Sequence, residues 1–448
     1  MNYHKRVLQF ILVVFSFLFV LSFVPLFFKT EIKTLQNISI LSDVIKSKDT
    51  ANSLIIHSDA VTVTTVDGAK KFSAFSAPQR VTAYYTDTNN INLKKFIAKL
   101  TDLKKGKRKK IRIAYLGDSM IEDDFISSTL RSLMQQQFGG YGVGYLPMSS
   151  ALTGNRTTAQ VISSATWIEH NFRNNPSKNT LFVSGRNFIA DGTAFAEIKD
   201  KTAAANLPLN KYLLYGNSLT STVMQCNNSN VTIPAALKFN TVLLDSSINS
   251  SFKISIGAGL SVFGVSSESP TGVIVDNFSF RGNSGQEFAG FDSVFLQTIN
   301  KLHTYDLIIM QYGVNLFDKP SDVKFDWYYQ PMKKSVAKLK ACFSEADIVL
   351  LGCADRSFRY DNEYASAKGL PVIINMQQKI AFENGIHFYN TFESMGGNGS
   401  MINWVKSKPA LAYKDYMHPN AAGSALMGKG IFNAIMIEYN KFLKTSKQ

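Results

Sequence analysis

Ile111-Arg112-Ile113-Ala114-Tyr115-Leu116 is a run of β-branched, aromatic and apolar residues that breaks at Gly117, and Asp118 and Ser119 follow at once. The run predicts a short buried strand. Phe125 to Gln137 then predicts a helix. A strand feeding a helix across a tight turn is the unit of an open α/β sheet, and such sheets bind ligands just past the carboxyl ends of their strands. A serine at that turn faces the cleft. The helix N-terminus behind it favours a developing negative charge.

The same alternation recurs downstream. Asp306 to Gln311 predicts a strand that ends at Tyr312-Gly313-Val314-Asn315, and Ile348 to Leu351 and Ile386 to Tyr389 predict two more. Ala289 to Leu302, Tyr329 to Phe343, Leu370 to Asn384 and Ala421 to Leu443 predict helices, and Leu93 to Leu103 predicts one that leads in. Strands alternating with helices imply a parallel sheet covered on both faces, hence a three-layer α/β/α domain. From Ser150 to about Pro270 the texture changes to short strand-like runs (Thr180 to Ser184, Lys211 to Tyr215, Asn240 to Leu244, Phe252 to Ile256) between Asn, Ser and Gly turns. That length is far beyond a loop and predicts an inserted all-β sandwich. The expected organisation is an anchor at 1–29, a spacer at 30–90, the α/β domain at 91–149 and 271–448, and the insert at 150–270. The insert is expected to select the polymer acted on. Its replacement by a short Gly/Ser bridge is expected to preserve much of the activity on a small acetyl ester and to lower activity on insoluble glycan.

Leu8 to Phe28 is almost wholly apolar behind Lys5 and Arg6. About 20 residues suffice to cross a bilayer. Positive residues on the amino side predict a cytoplasmic N-terminus, with the rest of the chain outside the inner membrane. A cleaved signal peptide is the alternative, but no small-x-small site follows. In that case the protein is expected in the periplasm or cell envelope. The net charge of +15 favours anionic partners, and Lys104 to Lys110 is a basic run read as a solvated turn. No zinc-ligand or nucleic-acid signature accompanies that charge, so an envelope surface is the expected setting and nucleic acid is not. Cys226, Cys342 and Cys353 are too few for a disulfide framework and read as buried small apolar residues.

Four short motifs carry chemistry. Ser119 follows one strand and Asn315 another. Gly285 follows the strand-like Gly272 to Phe280, and Asp415-Tyr416-Met417-His418 precedes the last helix. A serine hydroxyl needs a base to take its proton, a role suited to imidazole, and a carboxylate close by holds that ring in one tautomer. The N–H groups of Ser119 and Gly285 and the amide of Asn315 are the candidate oxyanion donors. His57, His170, His303 and His387 have no ligand-spaced partners and read as surface or core residues. Trp167, Tyr141 and Tyr145 read as packing residues before sugar-stacking ones. Asp123 and Asp124 read as first-turn helix acids. Gly139-Gly140-Tyr141-Gly142-Val143-Gly144 predicts an irregular loop near the cleft, without the Gly-Lys-Ser/Thr of a phosphate loop.

In order and spacing this set resembles the SGNH, or GDSL, hydrolase superfamily. The resemblance implies Ser119 as nucleophile, Gly285 and Asn315 as oxyanion donors, and Asp415 with His418 as acid and base. Leu316 departs from the Asp that many members carry after the Asn, a position outside the triad. More narrowly, the chain resembles the peptidoglycan O-acetylesterases of Gram-negative bacteria, which carry a β-sandwich similar to carbohydrate-binding modules between the Ser and Gly motifs. The implied fold is a flavodoxin-like parallel sheet with that insert. The implied activity is hydrolysis of O-acetyl groups on an envelope glycan, peptidoglycan first, with no metal or organic cofactor. Two other functions are compatible with the same sequence. One is an O-acetyltransferase fed by a membrane-bound acyltransferase, and the other is a non-catalytic glycan-binding protein.

Overall fold

The computed structural model describes residues 80–83, 90–175 and 180–446. The apolar stretch from Leu8 to Phe28, the spacer before residue 80 and His57 lie outside the described residues. Among the described residues no helix is long and apolar enough to cross a membrane.

Between its last strand and its last helix the α/β domain has two short helices, Thr391–Met395 and Ser400–Lys406; six strands and six longer helices build the rest. In chain order they are β1 (Val81–Thr82), α1 (Lys94–Lys104), β2 (Lys110–Gly117), α2 (Phe125–Phe138), β3 (Gly272–Ser279), α3 (Ser293–Leu302), β4 (Leu307–Gln311), α4 (Asp326–Cys342), β5 (Asp347–Leu351), α5 (Leu370–Glu383), β6 (His387–Tyr389) and α6 (Ala421–Thr445). The sheet order is β1-β6-β5-β4-β2-β3. All pairs are parallel except β1 with β6. α1 and α2 pack on α6, and α4 packs on α3 and α5, so two helical layers flank the sheet. Burial on both faces explains why β4 reads Leu-Ile-Ile-Met-Gln without polar alternation and is buried throughout.

Local chemistry moves several boundaries from those expected. The helix expected from Ala289 starts at Ser293, because the Asp292 side chain accepts from Val294 N–H at 2.8 Å and caps it there. Gln286–Gly290 before it is a separate 3₁₀ turn. The helix expected from Tyr329 starts at Asp326 and tolerates Pro331 near its start. Thr180 to Ser184 is not a strand. Leu181, Phe182 and Val183 are buried, and the chain turns at Gly185, whose N–H donates to Phe182 O at 2.7 Å. The strand begins after that turn, at Arg186.

The glycine-rich loop is also placed differently from the expectation. It lies away from the cleft, because α2 runs back to the amino edge of the sheet. A Cβ on Gly140 (φ +109°) would stand 2.8 Å from the backbone of Val273, at the start of β3. The glycine is required by that close approach of two backbones.

Residues 144–268 form two antiparallel sheets. One has the order 229–233, 222–226, 251–256, 194–200, 159–163. The other has the order 240–247, 209–216, 261–268, 186–190, 167–171, with Gly144–Leu146 paired to Ser261–Glu268. The second sheet is covered on both sides. Leu213, Tyr215 and Val262 face the core between the sheets. Leu214, Phe263, Phe182 and Phe239 join the core of the α/β domain. Phe182, Phe239 and Phe263 stack there, with Phe278 of β3 and Phe295 of α3 edge-on to them. Tyr145 is buried in the same cluster, and Trp167 is tied by its indole N–H to Phe195 O at 2.9 Å.

Buried charges cross the same boundary. Arg112 of β2 pairs with Glu268 at 2.6 Å and with Asp276 of β3 at 3.2 Å, and Asp276 also accepts from Tyr145 N–H at 2.9 Å. Burial alone would raise the Glu268 carboxyl, but Arg112 and Lys110 beside it bring it down to about 2. Asp124 is not a first-turn acid. It is buried at the N-cap of α2, doubly bonded to Arg131 (2.8 and 3.0 Å) and to the Thr158 hydroxyl at 2.7 Å. The three cysteines are buried and free.

This shared core corrects the expectation of a removable insert. Replacing 150–270 with a Gly/Ser bridge would expose Phe278 and Phe295, take Glu268 away from Arg112 and take the Thr158 hydroxyl away from Asp124. Breaking one buried ion pair costs about 3–5 kcal/mol, and losing one buried Phe costs a similar amount. Typical stabilities are about 5–15 kcal/mol, so the bridged chain is expected not to fold. A cooperative thermal transition in that variant, followed by circular dichroism, would contradict the shared core.

Candidate active site

The carboxyl ends of three neighbouring strands set the site. Gly117 of β2 stands in register with Ser279 of β3 on one side and Gln311 of β4 on the other. Ser119, Gly285 and Asn315 leave the sheet just beyond these ends. Ser119 opens a 3₁₀ turn, Ser119–Ile121. Its N-cap Asp118 accepts from Met120 N–H through Oδ1 at 2.9 Å. Asn315 sits in a second 3₁₀ turn, Val314–Leu316.

Asp415 closes its own turn, since Oδ1 accepts from the N–H groups of Met417 (3.1 Å) and His418 (3.0 Å). Its Oδ2 lies 2.6 Å from His418 Nδ1, and His418 Nε2 lies 2.9 Å from Ser119 Oγ. Nδ1–H therefore donates to the carboxylate, and Nε2 is left as the acceptor facing the serine hydroxyl. Asn420, two residues on, caps α6 by accepting from Ala422 and Gly423 N–H. Burial tends to raise the Asp415 carboxyl, but the hydrogen bonds from His418 and Met417 outweigh it and hold it at about 2. It is thus ionised throughout the neutral range.

A cleft of about 250 Å³ opens over these groups, lined by Ser119, Met120, Glu122, Asp123, Arg281, Tyr413, Asp415 and His418 among others. Arg281 and Glu122 form an ion pair at its rim. Asp123 is thus a cleft-wall residue. Gly285 and Asn315 are not among the residues that line this cleft.

The oxyanion candidates differ in state. Gly285 has φ +86°, and a Cβ there would meet the Tyr312 ring at 2.6 Å, so no other residue fits. Among the described residues no hydrogen bond engages the Gly285 or Ser119 N–H. Asn315 Nδ2, by contrast, already donates to Asp118 Oδ2 (2.9 Å) and Asn283 O (3.1 Å). It ties the serine turn to the glycine loop, and must release one of these partners to reach an oxyanion.

Two residues escaped the sequence reading. Asp118 is fully buried, and burial pushes its carboxyl up to about 7 against the hydrogen bonds from Met120 and Asn315. An acid immediately before a nucleophile at a strand end was the available signal. Asn283 is buried with its Nδ2 unpartnered, in the same loop as Gly285. Of the other histidines, His303 is buried 3.6 Å from Asp276, and His387 accepts from Leu93 N–H at 3.0 Å. Both lie away from the cleft. Among the described residues no group of three or more His, Cys, Asp or Glu is placed to hold a metal ion.

No family model and no curated protein sequence matches the chain. Solved structures do. A peptidoglycan O-acetylesterase superposes with a TM-score of 0.67 at 19% identity, covering 80% of this chain and 99% of its own. Family-two carbohydrate esterases from Clostridium thermocellum and Cellvibrio japonicus align over 63% of this chain at 10% and 12% identity. Their TM-scores of 0.28 and 0.25 are too low to bear on the fold. The parallel sheet with its antiparallel insertion, and the superposition at 0.67, give this chain a fold that resembles that of the peptidoglycan O-acetylesterase.

Proposed function

We propose that the protein is a serine esterase that removes O-acetyl groups from an envelope glycan, with peptidoglycan as the first candidate. The observation that carries this is the chain Ser119 Oγ–His418 Nε2 and His418 Nδ1–Asp415 Oδ2, at 2.9 and 2.6 Å, opening on a cleft. The fold shared with a peptidoglycan O-acetylesterase supports the choice of glycan. The periplasmic face of the inner membrane is the proposed location, on the apolar stretch from Leu8 to Phe28 behind Lys5 and Arg6.

In this mechanism His418 takes the Ser119 proton as Oγ attacks the acetyl carbonyl. The tetrahedral oxyanion lies against the N–H groups of Ser119 and Gly285 and the amide of Asn315. His418 returns its proton to the sugar oxygen as the C–O bond breaks. Water, activated by the same imidazole, then frees acetate from Ser119. Asp415 stays ionised and stabilises the imidazolium in both halves.

The test is acetate release from O-acetylated peptidoglycan and from other O-acetylated polysaccharides, with and without an added acceptor sugar. Release from peptidoglycan, unaffected by acceptor, is expected. Acetyl transfer to the acceptor would make the protein a transferase instead. Binding without release would make it a glycan-binding protein.

A further inference from the structure

Between β5 and α5 the chain makes a short hairpin, Ser357–Tyr360 paired with Glu363–Ser366, that joins neither the parallel sheet nor the sandwich. It touches two of the turns that build the site. At its base Arg356 Nη1 donates to Val314 O and Phe317 O, both at 2.6 Å, and so clasps the turn that carries Asn315. The next residue, Ser357, donates its N–H to Tyr416 O at 2.9 Å. On the second strand the Tyr364 ring lies flat on the Tyr416 ring, with centroids 3.7 Å apart and planes 10° from parallel.

Tyr416 stands between Asp415 and His418, and its φ is +57°. A bulky residue leaves that region readily unless its surroundings hold it there. Only Met417 separates it from His418, so relaxation at Tyr416 would swing the imidazole away from Ser119. Within the loop it is held by Tyr413 O, which accepts its N–H at 3.2 Å, by the bond from Tyr413 N–H to His418 O at 2.9 Å and by the Asp415 Oδ1 bonds to Met417 and His418; from outside the loop it is held by the hairpin. The hairpin is itself seated from behind. Asp355 Oδ2 accepts from Met401 N–H at 2.8 Å, and Ser366 Oγ accepts from Gly399 N–H at 2.8 Å.

We propose that this hairpin is a clamp that sets the Asp415–His418 loop against the Asn315 turn, with Tyr364 and Arg356 as positioning residues. The proposal rests on the serine-esterase reading of the same site. Neither residue touches the reacting atoms, and each acts through the turn it holds.

The experiment compares Tyr364→Ala, Tyr364→Phe and Arg356→Gln in the full chain on a small chromogenic acetyl ester. Amide exchange at Met417 and His418 is followed in parallel. Tyr364→Ala is expected to lower kcat about tenfold with KM nearly unchanged, since small misplacements of catalytic groups carry costs of that order or larger. It is also expected to speed exchange at both amides. Tyr364→Phe keeps the stacked ring and is expected to restore both. Arg356→Gln is expected to reproduce the kcat loss, and it stands in for Tyr364→Ala should that variant fail to fold. Unchanged exchange and kcat in Tyr364→Ala would overturn the clamp. A raised KM on glycan with unchanged kcat would also overturn it and make the ring a substrate contact. The exchange readout needs no turnover, so it stands apart from failure of the esterase reading, which shows as undiminished activity in Ser119→Ala.

Discussion

Ser119→Ala is expected to lower kcat for acetyl-ester hydrolysis by on the order of 10⁴–10⁶, the range in which removal of a nucleophile leaves only binding and oxyanion stabilisation. The geometry offers no substitute. Ser119 Oγ lies 2.9 Å from His418 Nε2 at the cleft, and the three cysteines are buried and do not line it. The fold should be unaffected, because the Ser119 hydroxyl is half-buried and its hydrogen bond is to His418 alone. A stability change within about 1 kcal/mol is expected. The measurement is turnover of a chromogenic acetyl ester by purified protein, beside a thermal melt. Near-normal turnover in a folded variant would remove Ser119 from the chemistry and the acyl-enzyme with it.

Asp415→Asn is expected to lower kcat by on the order of 10²–10⁴, since an amide cannot hold the imidazole in the tautomer that leaves Nε2 free. Asp415 is held at about 2, so it does not titrate where activity is measured. Its titration bears on stability instead. The depressed pKa of Asp415 favours the folded state above the unfolded value of about 3.9, and that contribution is lost as pH falls towards 2. Near-normal kcat in a folded Asp415→Asn variant would mean that the 2.6 Å contact with His418 does not govern the base.

The parts legible in the sequence are those whose physics is local. Ile111 to Leu116 broken by Gly117 announces a buried strand and its end, and Asn420 marks a helix start by its ability to cap. The change to short, polar-turned strands after residue 150 announces a different architecture, because strand and helix have different apolar periods. The Ser, Gly, Asn and Asp-x-x-His motifs were visible for the same reason, as each is one turn.

The parts not legible depend on residues far apart in the chain. Leu213, Leu214 and Tyr215 read as one apolar run, and only packing shows that Leu214 serves a different core from its neighbours. The hairpin from 357 to 366 gives too weak a strand signal to read, because each strand has only four residues and most of the hairpin is exposed. Gly140 could not be placed until Val273 was seen against it. Thus the sequence alone determined the turns that present Ser119, Asn315 and His418 and the class of fold that carries them. Only the tertiary structure decided that Asn315 is held by Asp118 and that the insert shares a core with the α/β domain. It likewise decided that Tyr364 lies on Tyr416. Each of those contacts joins residues about 30 to 200 apart, and no local preference encodes which partner closes such a loop.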